Sequence, residues 1–87
     1  MRASSKQVQP PSGPEKAFGE ILRANRRGIG ISQEELAFES DLDRTTVSLM
    51  ERGLISPSLR TIVRLCKVLR VRLSELARQI ESSNYYR

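Results

Sequence analysis

Apolar residues recur at intervals of three and four along most of this 87-residue chain, the spacing that places them on one face of an α-helix. Candidate caps and turn residues divide the pattern into five segments, at 14–27, 33–39, 44–52, 57–70 and 71–80. We therefore predict an all-α fold of five helices. The positions that define the apolar faces are Phe18, Ile21, Leu22, Leu36, Ala37, Val47, Met50, Leu59, Ile62, Val63, Leu65, Cys66, Leu69, Val71, Leu73, Leu76, Ala77 and Ile80.

The two ends of the chain lack this pattern. Residues 1–13 contain prolines, a glycine and small polar residues, so they cannot bury enough apolar surface to offset the entropy of ordering. We predict a flexible tail there, a single domain over 14–81 and a frayed C-terminus over 82–87.

Capping residues mark the starts of three predicted helices. Ser32 and Glu35 have the spacing of a capping box, in which each side chain accepts from the other residue's backbone amide. Asp43 is expected to cap the following helix, since its carboxylate can accept from the free amides of the first turn. Ser56 and Pro57 suit the cap and the first position of the fourth helix.

The third predicted helix has two different faces. Val47 and Met50 lie three positions apart, as core residues do, and the rest of the helix surface is polar or basic with one exposed leucine. The outward set is Arg44, Thr45, Ser48 and Leu49.

A family resemblance is carried by 32–37, Val47, 51–53, Leu22, Arg23, Arg26, 57–59, Leu65, Leu69, Val71, Leu73 and Leu76. These positions resemble the XRE family, the helix-turn-helix proteins of the phage repressor and Cro type, over residues 18–80 without a gap. Small single-domain controllers of restriction–modification genes are similar in layout. One departure lies in the turn, where Asp41 occupies a position that commonly holds Gly, and Asp tolerates the left-handed backbone conformation better than most residues.

The resemblance implies a dimeric transcriptional regulator, such as a repressor, that binds double-stranded DNA with helix 44–52 in the major groove of an inverted-repeat operator. Arg44 is the first candidate for reading bases, because its guanidinium can donate two hydrogen bonds to guanine O6 and N7. Thr45 and Ser48 can make shorter hydrogen bonds, and Leu49 can pack on a thymine methyl. The alternatives are that Arg44 contacts only phosphate and that Leu49 packs on neighbouring protein.

Contacts to the DNA backbone would hold this helix in place. Gln33 lies at the start of the second helix, where backbone and side-chain amides can meet a phosphate oxygen. Arg26 has two interpretations, a phosphate contact or an ion pair with Glu51, and the resemblance favours the structural ion pair. The remaining phosphate candidates are Thr46, Arg52 and Arg60.

The charge balance agrees with a polyanionic partner. Fifteen Lys and Arg residues against ten Asp and Glu give a net charge of +5 and a pI of about 10.1. That balance favours nucleic acid first and an anionic membrane second. Arg2 and Lys6 in the tail could contact DNA as a basic arm, or they belong to a solvated leader.

The remaining composition excludes several classes of function. One Cys and no His exclude a disulfide framework within the chain and an ordinary zinc site. Cys66 is expected to be a packed core residue, since no His can activate it. No catalytic constellation, cofactor motif or small-molecule effector site is apparent, so we expect neither an enzyme nor a cofactor. The lack of a long apolar run or a signal-peptide core predicts a cytoplasmic protein.

The sequence leaves two questions about partners open. The resemblance implies a homodimer through the fifth helix and C-terminal residues, although packing against the first helix explains the same apolar pattern. Tyr85 and Tyr86 could pack across that dimer, or they belong to the frayed C-terminus. The rival functions are an antitoxin-like protein-interaction module and RNA binding. RNA binding is disfavoured by the expectation that Phe18 and Phe38 are both buried, because single-stranded RNA stacks on exposed aromatic residues.

Overall fold

The computed structural model describes residues 13–86 and contains five helices. They are α1 (Gly13–Gly28), α2 (Gln33–Glu39), α3 (Arg44–Glu51), α4 (Leu59–Leu69) and α5 (Leu73–Glu81). No strand occurs within this range, which confirms the predicted all-α, five-helix fold. The tail residues Arg2 and Lys6 lie outside the described residues, and the domain limits at 14 and 81 stay predictions.

A single core lies where the five helices meet. α3 packs against α1 and α2, while α5 packs against α1 and α4. Each helix contributes buried side chains from its predicted apolar face, and these are Phe18, Leu22, Leu36, Ala37, Val47, Met50, Leu65, Cys66, Leu69 and Leu76. Burial raises the pKa of the Cys66 thiol, so the side chain stays neutral and packs as a small apolar group.

The start of α2 is capped as predicted. Ser32 Oγ accepts a hydrogen bond from the Glu35 amide at 3.0 Å, and Glu35 Oε1 accepts one from the Ser32 amide at 2.8 Å. In the turn after α2, Asp41 adopts a left-handed conformation with φ 59°. The tight turn between α2 and α3 therefore forms without glycine.

The other two predicted caps differ in the structure, one in its hydrogen bond and one in its position. The Asp43 side chain makes no capping hydrogen bond, although its backbone occupies the cap position of α3. α4 begins two residues later than predicted, because Ser58 rather than Ser56 is the cap and accepts from the Thr61 amide at 3.1 Å. Pro57 consequently precedes the helix instead of opening it.

Several apolar residues expected in the core are exposed. Phe38 has 81% of its surface accessible, because each residue turns an α-helix by about 100° and Phe38 follows Ala37, at the edge of the buried face of α2. Leu59 is 67% exposed on α4, where the buried face is formed by later residues. Val63, Leu73 and Ala77 are exposed as well.

Residues 13–86 contain neither a membrane-spanning helix nor a cluster of metal-binding side chains. None of these helices has the length and apolar content needed to cross a bilayer. The same residues contain no group of three or more His, Cys, Asp or Glu side chains placed to hold a metal ion.

Candidate nucleic-acid interface

The two faces of α3 separate in the structure. Val47 and Met50 are fully buried, whereas Arg44 and Thr45 at the start of the helix are exposed. Ser48, one turn later, is half-buried. The N-terminal end of the helix, with its basic and hydroxyl side chains, is therefore accessible to solvent, while the apolar face is fixed in the core.

Leu49 differs from its predicted placement. The sequence suggested an outward leucine, and the structure leaves its side chain only half-exposed. Its carbonyl oxygen accepts from the Leu54 amide at 3.0 Å, where the chain turns after α3. Leu49 thus lies at the edge of the exposed face.

Glycine at position 19 sets how closely α1 approaches the end of α3. A Cβ built on Gly19 would lie 2.6 Å from the Glu51 carbonyl oxygen and closer still to that of Met50. Any larger residue would therefore push the two helices apart. The sequence pattern did not reveal this role, since glycine carries no periodic signal and its contacts lie about thirty positions away.

The end of α3 is also fixed by a buried ion pair. Arg26 Nε donates to Glu51 Oε2 at 2.6 Å, and Arg26 Nη2 donates to Glu51 Oε1 at 3.0 Å. Arg26 Nη1 donates to the Ile31 carbonyl oxygen at 2.9 Å. The hydrogen bond to Glu51 raises the pKa of Arg26, with a smaller opposing influence from burial, so the guanidinium stays charged. Of the two interpretations of Arg26, the geometry favours the structural pair.

The predicted phosphate residues lie on three different elements. Gln33, the first residue of α2, is half-buried and donates from Nε2 to Glu51 Oε1 at 3.0 Å. Thr46 is half-buried in the first turn of α3. Arg52 follows α3 and Arg60 lies in the first turn of α4, and both are exposed.

Lys16 is a residue near α3 that the sequence did not single out. It lies against Gly53, because a Cβ on that glycine would be 2.9 Å from the Lys16 Cα. Its ammonium group is 3.0 Å from Glu20 Oε2 and 5.3 Å from the centre of the Tyr85 ring. The C-terminal segment therefore returns to the start of α1, with Tyr85 and Tyr86 both more than 40% exposed.

Comparison with known proteins gives a consistent set of relatives. Residues 22–76 match the helix-turn-helix family. Control protein C.BamHI of Bacillus amyloliquefaciens is 43% identical over 60 residues, which are 68% of this chain and 74% of that protein. The crystal structure of the restriction-modification controller protein C.AhdI from Aeromonas hydrophila is 44% identical, covers 70% of this chain and 92% of that chain, and has a TM-score of 0.68. The clp gene regulator ClgR from C. glutamicum is 25% identical, covers 87% and 97% of the two chains, and has a TM-score of 0.80.

Proposed function

Because the chain belongs to the XRE-type helix-turn-helix family, we propose that it binds double-stranded DNA at specific sequences and regulates transcription. The observation that carries the proposal is the pair of faces on α3. Val47 and Met50 anchor the helix while Arg44 and Thr45 are exposed, so α3 can enter a major groove without disturbing the core.

Base reading is assigned to the first half of α3. Arg44 donates two hydrogen bonds to guanine, and Thr45 and Ser48 donate to or accept from neighbouring base edges. Leu49 packs on a thymine methyl from the edge of the exposed face.

The phosphate frame is assigned to Gln33, Thr46, Arg52 and Arg60. These residues come from α2, from the first turn of α3, from the position after α3 and from α4, so phosphate contacts before, within and after the reading helix would orient it. The net charge of +5 supports the same partner through release of counterions from DNA.

The names of the relatives narrow the proposed role. The two relatives at 43% and 44% identity are called control or controller proteins, and the second is named for restriction–modification. ClgR, at 25% identity, is named for a different set of genes. We therefore assign this chain to the small controllers of the first kind, a regulatory role that requires no catalysis.

We further propose that the working unit is a homodimer on an inverted-repeat operator. Leu73 and Ala77 on α5 and Leu59 and Val63 on α4 expose apolar surface that a second copy would cover. Two copies related by a two-fold axis would read half-sites about 34 Å apart.

Selection of bound duplexes from a random pool tests sequence-specific binding, and a mass measurement on the free protein tests the dimer. We expect an enriched inverted repeat and a mass of two chains. A salt-titrated shift assay on duplex DNA, single-stranded DNA and RNA then distinguishes the partners. An unenriched pool, or tighter binding to RNA, would contradict the proposal.

One observation favours a second candidate, a protein-interaction module. Phe38 and Ile29 are 81% and 45% exposed and line a groove with Ile31 and Val68. The exposed ring also removes the argument that RNA binding lacks an aromatic platform. A Phe38→Ser variant that binds the selected duplex normally would show that DNA binding does not need this groove, whereas weakened binding would remove the case for a separate partner.

A further inference from the structure

We propose that Glu51 is a positioning residue for Gln33, whose side-chain amide it orients toward a DNA phosphate. The inference rests on the proposed DNA binding and deepens it. Its starting point is the hydrogen bond from Gln33 Nε2 to Glu51 Oε1, 3.0 Å long, which joins the first residue of α2 to the last residue of α3.

The chemistry of the acceptor decides which end of the amide faces inward. An ionised carboxylate can only accept hydrogen bonds, so it must face the NH₂ group of Gln33 and not the carbonyl oxygen. One N–H of that group is used by Glu51. The second N–H of the same nitrogen lies in the amide plane and is directed away from Glu51, where it can donate to a phosphate oxygen.

The carboxylate of Glu51 is itself held in place by its ion pair with Arg26. Only 4% of Glu51 is exposed, and both of its oxygens accept from Arg26, whose remaining terminal nitrogen donates to the Ile31 carbonyl. The backbone of Glu51 packs against Gly19 of α1, at a distance that excludes a side chain there. A carboxylate fixed in this way can fix the amide that donates to it.

Arg26 also explains why the negative charge of Glu51 is tolerated close to a DNA phosphate. An unpaired Glu51 would repel the DNA backbone, whereas the charge of Arg26, 2.6 Å away, cancels it. The cluster of Arg26, Glu51 and Gln33 therefore links the backbone contact of α2 to the end of the reading helix. The position of Gln33 on the phosphate then determines the position of α3 in the groove.

A double-mutant cycle on DNA affinity tests the inference. Gln33→Ala and Glu51→Gln should each weaken binding to cognate and random duplexes by about 3- to 10-fold, the effect of one lost hydrogen bond. In the Gln33→Ala background, Glu51→Gln should cost less than about twofold further, because the group it orients is already gone. Losses that multiply, or a Gln33→Ala protein that binds as the unmodified chain does, would overturn the inference.

A control separates positioning from stability. Ile21→Val trims a partly buried side chain packed on the core, so it should lower the melting temperature without changing affinity when all proteins are folded. If Glu51→Gln does not fold, exchange of the Gln33 side-chain N–H protons in the unmodified protein decides the matter. One of the two should be protected from solvent, and exchange of both at the rate of a free amide would contradict the assignment. Failure of the unmodified protein to bind any duplex would instead reject the proposed function.

Discussion

At the scale of single residues, Arg26 and Arg44 show that two arginines in one protein differ in role according to their burial. Arg26 is 8% exposed and donates hydrogen bonds to Glu51 and the Ile31 carbonyl oxygen, whereas Arg44 is exposed at the start of α3. The first arginine is committed to the protein interior. The guanidinium of Arg44 is exposed, and its proposed partner is DNA, so substitutions of the two arginines should affect different measurements.

Arg26→Ala should lower the stability of the protein more than its discrimination between bases. The substitution leaves the carboxylate of Glu51 buried without its charge partner, which costs about 3 kcal/mol. Thermal melts beside binding curves on cognate and random duplexes measure both effects. An unchanged melting temperature would contradict the structural role of the pair.

Arg44→Ala should instead relax the base preference at one operator position by about 1–3 kcal/mol and leave the melting temperature nearly unchanged. Arg60→Ala is the matched control, because it removes an exposed arginine assigned to phosphate. That control should weaken all duplexes alike and reduce the salt slope by about one. Equal losses on cognate and random DNA for Arg44→Ala would show that Arg44 contacts only phosphate.

At the scale of helices, the sequence predicts which segments are helical better than where they begin. All five helices were predicted, because the spacing of apolar residues is repeated over several turns and tolerates single errors. A cap depends on one side chain, and the chain offers serine at both 56 and 58. Asp43 has a suitable side chain and makes no capping bond, so residue type alone does not determine which cap forms.

Ser58→Ala should therefore destabilise the protein, and Ser56→Ala should not. Ser58 Oγ accepts from the Thr61 amide at 3.1 Å, and loss of such a cap costs about 1 kcal/mol. Ser56 is exposed and lies before the helix, so its substitution is the natural control. Chemical denaturation of both variants gives the comparison, and equal stabilities would mean that the Ser58 cap contributes nothing.

Contacts between helices are the part of the site that the sequence predicted least. Gly19 and Lys16 were overlooked, since the residues that they contact at and after the end of α3 lie thirty or more positions away and neither belongs to a periodic pattern. The pairing of Arg26 with Glu51 was predicted only through the family resemblance. The burial of Phe38 was predicted wrongly, because an apolar residue type does not reveal on which side of a helix the side chain lies.

Gly19→Ala should destabilise the protein by about 1–3 kcal/mol, because the added methyl group meets the backbone oxygens at the end of α3. Gly28→Ala is the matched control. Its Cβ would meet nothing within 4 Å, and alanine favours the helix, so stability should stay equal or rise. Melting temperatures of the two variants measure the difference, and a Gly19→Ala protein as stable as the control would show that α1 and α3 can separate without cost.

At the scale of the whole molecule, the dimensions of 40 × 26 × 21 Å agree with the proposed binding of one copy to each half-site. Reading helices about 34 Å apart must each lie about 17 Å from a two-fold axis, which is less than half the length of one copy. The exposed apolar residues of α4 and α5 are the surface that would meet at this axis.

Leu73→Glu should therefore convert the proposed dimer into a folded monomer. Leu73 is 45% exposed and is the first residue of α5, where a carboxylate interacts favourably with the helix dipole, so the fold should be retained. Phe38→Glu introduces the same charge on exposed apolar surface of α2 and should leave the dimer intact.

Sedimentation of both variants measures their masses, and binding to one half-site and to a full inverted repeat measures the consequence for DNA affinity. Because the monomer keeps its reading helix, the affinity of the Leu73→Glu variant for one half-site should stay the same. The variant should no longer bind the full repeat more tightly than one half-site. If the variant remains a dimer, the interface lies elsewhere.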